Sequence, residues 1–134
     1  MVIHFYSNSW DLYKRVTRNE GGADREVLYD PSVDLVIEEV GKLAGQYGAA
    51  RIVIEGHTDA SMQGRVPKSV VQELSANRAN AVKQALVRSF PTLQPNQFGT
   101  AGIGWERPAD PSDPQNHAKN RRVEIKVYPA EAVQ

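Results

Sequence analysis

Cysteine is missing from this chain, which removes disulfides, thiol nucleophiles and thiolate metal sites from consideration. Excess charge of either sign is missing too: Lys+Arg and Asp+Glu number 16 each, so the formal net charge is zero. A nucleic acid partner asks for a basic face or stripe, and none is expected here. No run approaches the ~20 apolar residues that a bilayer-spanning helix needs. No signal peptide is expected at the start of this sequence, because Met1 opens directly into Val2, Ile3, His4, Phe5 and Tyr6, a strand pattern. The chain is therefore expected to be either a cytosolic protein or one domain of a larger exported one.

Other absences narrow the chemistry. No Gly-x-Ser-x-Gly elbow occurs. Gly102-Ile103-Gly104 lacks the third glycine, and the helix to follow it, of a nucleotide-binding fingerprint, and reads as a tight turn. The three histidines are His4, His57 and His117. A zinc site needs three or four converging ligands. His57 and Asp59 stand only two apart, with no third ligand that spacing can nominate. Neither a metal nor a cofactor is expected, and no catalytic residue.

What is present is an ordinary globular composition: 134 residues, 40% hydrophobic and 24% charged, enough for one domain with a real core. Val2 to Tyr6 is a short strand, ended by the turn-prone Ser7-Asn8-Ser9. Trp10 to Tyr29 is mixed and polar, with Gly21-Gly22 at a loop tip. Asp30-Pro31 opens a helix as N-cap and first helical residue. Val33, Val36, Ile37, Val40, Leu43, Ala44 and Tyr47 follow at helical spacing, and Gly48 suits the C-cap. Arg51 to Glu55 is a strand whose continuous Ile52-Val53-Ile54 run predicts cover on both faces, and Gly56-His57-Thr58-Asp59 leaves it as a loop. Ala60 to Pro67 is loop-like. One helix or a pair covers roughly Lys68 to Ser89, Ser75 being the candidate N-cap of a second part, and Ala79, Val82, Ala85 and Leu86 form its apolar stripe. A strand is predicted around Gln97 to Gly102, and Pro108, Pro111 and Pro114 mark an exposed loop. The last strand is Arg122 to Tyr128, with Val123, Ile125 and Val127 inward and Arg122, Glu124 and Lys126 outward. The order is β-α-β-α-β-β, an α/β (α+β sandwich) class with a mixed sheet and helices on one face. Residues 1–129 form one domain, and residues 130–134 a disordered tail.

Three segments carry candidate binding chemistry. Thr58 and Asp59 follow a buried strand, at the C-terminal end where open α/β sheets hold ligands; from spacing alone a local turn is the better explanation. If Ser75 caps a helix, Arg78 lies in its first turn and opposes the helix dipole by ~0.3–1 kcal/mol, so it needs a carboxylate partner. A surface salt bridge is the plainer explanation. Arg121 and Arg122 are adjacent, point to opposite faces, and offer a site at most one guanidinium between them.

These segments fall in a familiar order. Val53-Ile-Glu-Gly-His-Thr-Asp59, Leu74-Ser-Ala-Asn-Arg78-Ala79, Gly102-Ile-Gly104 with Pro108, and Asn120-Arg-Arg-Val-Glu-Ile125 together closely resemble the OmpA-like C-terminal domain family of outer-membrane protein A, Pal and MotB. The match runs from Val2 to about Tyr128. The resemblance implies non-catalytic binding of the diaminopimelate-containing stem peptide of peptidoglycan, with Asp59 and Arg78 gripping the amine and carboxylate of the distal centre. It implies Leu74 as a pocket wall, Asn77 beside the arginine, Thr58 beside the aspartate, and Asn120 and Arg121 in support. It further implies a periplasmic, cell-wall-associated domain excised from an exported parent that is membrane-anchored or lipidated, with a homodimer as an option. The competing expectation is a domain of this family that docks a protein partner without binding the wall. A wall hydrolase would need a metal triad or a paired-carboxylate cleft, and neither assembles from spacing. Two stretches depart from the family pattern: Ala60 to Glu73, which looks long, and the extended, charged Trp10 to Tyr29.

Overall fold

The computed structural model describes residues 1–48 and 50–129; the tail expected at 130–134 lies outside them. The elements are β1 (Val2–His4), β2 (Arg15–Glu20), β3 (Ala23–Leu28), α1 (Val33–Gln46), β4 (Arg51–His57), α2 (Lys68–Ser89), β5 (Phe98–Gly104), the single-turn α3 (His117–Asn120) and β6 (Arg122–Tyr128). Four strands make one mixed sheet in the order β1-β6-β4-β5. β4 runs parallel to β5 and antiparallel to β6, which also pairs antiparallel with β1. The mixed α+β layout is the one the hydrophobic periodicity predicts.

The core lies between this sheet and α1 and α2. Val33, Val36, Ile37, Val40 and Ala44 of α1 face Ile3, Ile52, Ile54, Val123 and Ile125 of the sheet, alongside Ala79, Val82, Ala85 and Leu86 of α2. Each helix thus buries one stripe at helical spacing and each strand one face at period two. The Ile52-Val53-Ile54 run does not have two covered faces: Ile52 and Ile54 are wholly buried, whereas Val53 is half-buried. Tyr47 is likewise outside the stripe, 40% exposed at the helix C-cap.

Several local expectations need correction. Trp10 to Tyr29 contains the β2–β3 hairpin, joined at Gly21 (φ 61°) and Gly22 (φ 84°), the positive-φ pair that a two-residue hairpin turn requires. Its strands carry few apolar residues and lie mostly in solvent, so alternation cannot reveal them. Asp30 does not cap α1; Ser32 holds that position. Asp30 instead accepts from the Ser32 backbone N–H and hydroxyl through Oδ1, and from the His4 N–H through Oδ2, so it ties β1 to the head of α1. Gly56 and His57 belong to β4 rather than to a loop, and the strand predicted around Gln97 to Gly102 runs from Phe98 to Gly104. The expected loop after it ends in α3.

The largest correction concerns α2, which is one uninterrupted helix of 22 residues. Ser75 is wholly buried inside it and caps nothing. Its hydroxyl donates to the Gln72 carbonyl and accepts from the Gly104 N–H at 3.0 Å, so it pins the helix to the end of β5. The helix approaches the sheet closely there because Gly56 and Gly102 are paired neighbours on β4 and β5. A Cβ at Gly56 would overlap the Ser75 carbonyl, and one at Gly102 would run into the Gln72 carbonyl and the Ala76 N–H. Gly56→Ala therefore must push a helix off a sheet, and should destabilise the domain by ~3 kcal/mol or more, at the upper end of overpacking costs. Urea unfolding measures this, and an unchanged midpoint would show that the contact is not tight.

Candidate functional site

A cleft of about 230 Å³ opens where the ends of β1 and β4 meet the middle of α2. Its walls include Asn8, Thr58, Asp59, Met62, Leu74, Arg78 and Arg121. Five of the seven residues nominated from sequence therefore come together. Asn77 lies one groove away, beside Trp10, Met62 and Val70. Asn120 stays outside the cleft lining and acts from behind: it accepts from the Ala109 N–H and donates to the Pro114 carbonyl, closing the proline-rich loop just before β6 begins. Residues from the long Ala60 to Glu73 stretch, Ser61, Met62 and Val71, form part of the rim.

Arg78 is 1% exposed and sits in mid-helix, so the dipole argument based on a first-turn position does not apply. Its partners are backbone carbonyls: Nε donates to Ser9 at 2.8 Å, Nη1 to His57 at 2.9 Å and Nη2 to Tyr6 at 3.2 Å. The Phe5 ring lies against the guanidinium at 5.4 Å. Burial pushes the guanidinium down to about 10, against the pull of the nearby Asp59 charge. It remains a cation at neutral pH.

Asp59 takes Arg121 as its charged partner. Its Oδ2 lies 3.3 Å from Arg121 Nη1, while Oδ1 accepts from the backbone N–H and hydroxyl of Ser61. Burial alone would raise this carboxyl, but the Ser61 bonds and Arg121 outweigh it and hold it below the ordinary carboxylate range. Arg121 is fixed in turn by the Phe5 carbonyl at 3.0 Å and the Tyr29 hydroxyl at 3.0 Å. Thr58 donates its N–H to the Gly104 carbonyl, and its hydroxyl, buried in the cleft wall, has no hydrogen-bond partner among the described residues. The cleft thus carries one carboxylate and two guanidiniums around an apolar wall of Met62, Val71 and Leu74, with a spare hydroxyl at its base.

Arg122 obeys the opposite-faces rule for adjacent strand residues, pointing away from the cleft. It is not the solvated outward residue expected from alternation, since it is only 4% exposed and bonds Glu124 and the Arg107 carbonyl. Spacing could nominate no third ligand-type residue beside His57, but the fold brings two others to it. Glu55 and Glu124 come within 4.8 Å of it, Glu124 arriving from β6 through a strand pairing that local spacing does not reveal.

The family model described as the OmpA family matches residues 28–122, a span that contains Thr58, Asp59, Leu74, Arg78 and Arg121. The chain belongs to the OmpA family. Outer membrane protein Omp38 of Acinetobacter baumannii is 35% identical over 96 residues, 71% of this chain and 24% of that protein. Outer membrane porin F of Pseudomonas aeruginosa is 34% identical over 92 residues, 68% of this chain and 25% of that protein. The chain thus spans about a quarter of the length of these OmpA-family relatives. Among solved structures, the C-terminal domain of Helicobacter pylori MotB superposes with a TM-score of 0.58 at 29% identity, covering 75% of this chain and 76% of that one. The peptidoglycan-associated lipoprotein of Burkholderia pseudomallei shares the fold, with a TM-score of 0.63 at 21% identity over 94% of this chain and 88% of that one. Among the described residues no helix is long and apolar enough to cross a membrane.

Arg78 is a structural cross-link between α2, the segment after β1 and the end of β4. Arg78→Ala strands three carbonyls and opens a void, and should cost on the order of 3 kcal/mol of stability. Arg121→Ala frees one backbone carbonyl instead of three and leaves Asp59 its two bonds from Ser61, so it should cost less. Thermal unfolding of the two variants side by side checks the ranking, and equal losses would contradict it.

Proposed function

We propose that this OmpA-family domain is a non-catalytic module that binds the diaminopimelate-containing stem peptide of peptidoglycan, and so fastens an exported parent protein to the cell wall in the periplasm. One observation carries the reading: the cleft gathers a buried carboxylate, Asp59, with two guanidiniums, Arg78 and Arg121, around a small apolar wall. The distal centre of diaminopimelate bears an ammonium and a carboxylate on one carbon. An acid beside a planar cation reads that zwitterion, and the guanidinium fork is the side chain best shaped for the carboxylate. One neighbour of the same fold, named a peptidoglycan-associated lipoprotein, points the same way.

The geometry refines how the grip works. Asp59 already holds Arg121, so the ligand ammonium joins that pair rather than meeting a lone acid. Arg78 offers the carboxylate only those N–H groups left after its three carbonyl bonds. The ligand is thus held by a cleft whose charges are fixed before it arrives, which reduces the ordering cost of binding.

Asp59→Asn is the sharpest variant, because it removes the charge and keeps the shape. Losing one member of a desolvated charge pair costs ~2–5 kcal/mol, so the variant should stay in the supernatant when mixed with diaminopimelate-type sacculi while the parent domain sediments with them. Co-sedimentation of both to the same extent would place wall binding elsewhere on the surface.

A further inference from the structure

A second cluster lies on the sheet face turned away from the helices, outside the cleft. Glu55 of β4 and Glu124 of β6 stand directly opposite each other in the antiparallel register. Like charges at such a pair repel. Two arginines moderate the repulsion: Arg122 reaches Glu124 Oε2 at 2.6 Å, and Arg107 reaches Glu55 Oε2 at 3.4 Å. Behind the carboxylates sits His57, 1% exposed. Neither arginine satisfies it, for among the described residues both its Nδ1 and its Nε2 lack a hydrogen-bond partner. A buried imidazole with both nitrogens unmatched is a costly arrangement that asks for an explanation. One ligand atom from each of Glu55, His57 and Glu124 lies within 4.8 Å of the other two.

We propose that Glu55, His57 and Glu124 bind one divalent transition-metal ion, zinc fitting best, which clips β4 to β6 on the open face of the sheet. An imidazole nitrogen with two carboxylate oxygens suits zinc, whereas magnesium and calcium prefer all-oxygen shells. Three protein ligands leave a fourth position for water, an ordinary zinc arrangement. With bonds of ~2.0 Å the ligand atoms of a tetrahedral site stand roughly 3.3 Å apart. Closing on the ion therefore takes a small inward turn of the two glutamates, whose side chains are 17% and 30% exposed and have room to adjust.

The ion adds charge to a cluster where two acids already face two arginines, so something must yield. Arg107 is that group: its side chain is 57% exposed and its ion pair is the longer one. Arg122 keeps its place through the Arg107 carbonyl. Both glutamates use Oε2 for their arginines, and each carboxylate has a second oxygen to offer the ion.

The test uses the whole domain, stripped with a chelator and titrated with zinc, magnesium or calcium. The expected result is one zinc per chain, a higher thermal midpoint with zinc than with the other two ions, and visible d–d bands when cobalt(II) is substituted. Glu55→Gln and Glu124→Gln should each weaken zinc binding by at least about tenfold, since each removes a ligand rather than an outer-shell group. His4→Gln, which removes the surface histidine next to Asp30, should leave zinc affinity unchanged. If a glutamine variant does not fold, the parent domain still decides: long-range ¹H–¹⁵N spectra must show a His57 ring nitrogen shifting with zinc. The proposal is overturned if zinc leaves the His57 nitrogens unmoved, if magnesium or calcium stabilises equally well, or if both glutamine variants bind zinc like the parent.

Discussion

A guanidinium buried among apolar residues is tolerated only when its donors are matched, because an unpaired cation in such surroundings costs several kcal/mol. Arg78 meets that requirement with carbonyls drawn from two regions: Tyr6 and Ser9 from the segment after β1, and His57 from the last residue of β4. One side chain of α2 therefore holds together the three pieces of chain that surround the cleft. The same bonds fix where Thr58 and Asp59 emerge, since both follow His57 directly. Because its donors are engaged before any ligand arrives, Arg78 presents its charge to the cleft from a fixed position.

A second constraint sets the depth of that position. The paired glycines, Gly56 and Gly102, let the backbone of α2 press onto β4 and β5, and the Ser75 hydroxyl latches it to Gly104. A side chain on either glycine would lift the helix and carry Leu74 and Arg78 away from Asp59. The opposite rim depends on Arg121, whose three nitrogens reach the Phe5 carbonyl, Asp59 and the Tyr29 hydroxyl. Tyr29 follows the β2–β3 hairpin, so even that exposed insertion contributes an anchor to the site.

Much of this was legible in the sequence wherever burial imposes a period. The stripe from Val33 to Ala44, the stripe from Ala79 to Leu86 and the inward Val123 and Ile125 all lie where spacing places them. Thr58, Asp59, Leu74, Arg78 and Arg121 were nominated and do converge on one cleft. What spacing could not supply was pairing between distant segments. The tie from Asp59 to Arg121 joins the end of β4 to the start of β6, and the meeting of Glu55 with Glu124 depends on strand register. Ser75 misled because serine favours N-caps, yet a buried serine inside a helix can satisfy its hydroxyl on the preceding turn, as Ser75 does on Gln72. The hairpin was hidden for the converse reason: strands that bury almost nothing leave no apolar alternation to read.

A cleft that reads the zwitterionic distal centre of the stem peptide must discriminate between ligands that differ only there. Calorimetric titration of the intact domain with matched muropeptides, differing only in diaminopimelate, amidated diaminopimelate or lysine at that residue, tests it most directly. Lysine lacks the distal carboxylate and the amide neutralises it, so in both cases a desolvated guanidinium loses its anion. Both should bind at least about tenfold more weakly than the diaminopimelate form, a difference of ~1.4 kcal/mol. Equal dissociation constants for the three would mean that neither Arg78 nor Arg121 reads a carboxylate, even if the wall were still bound.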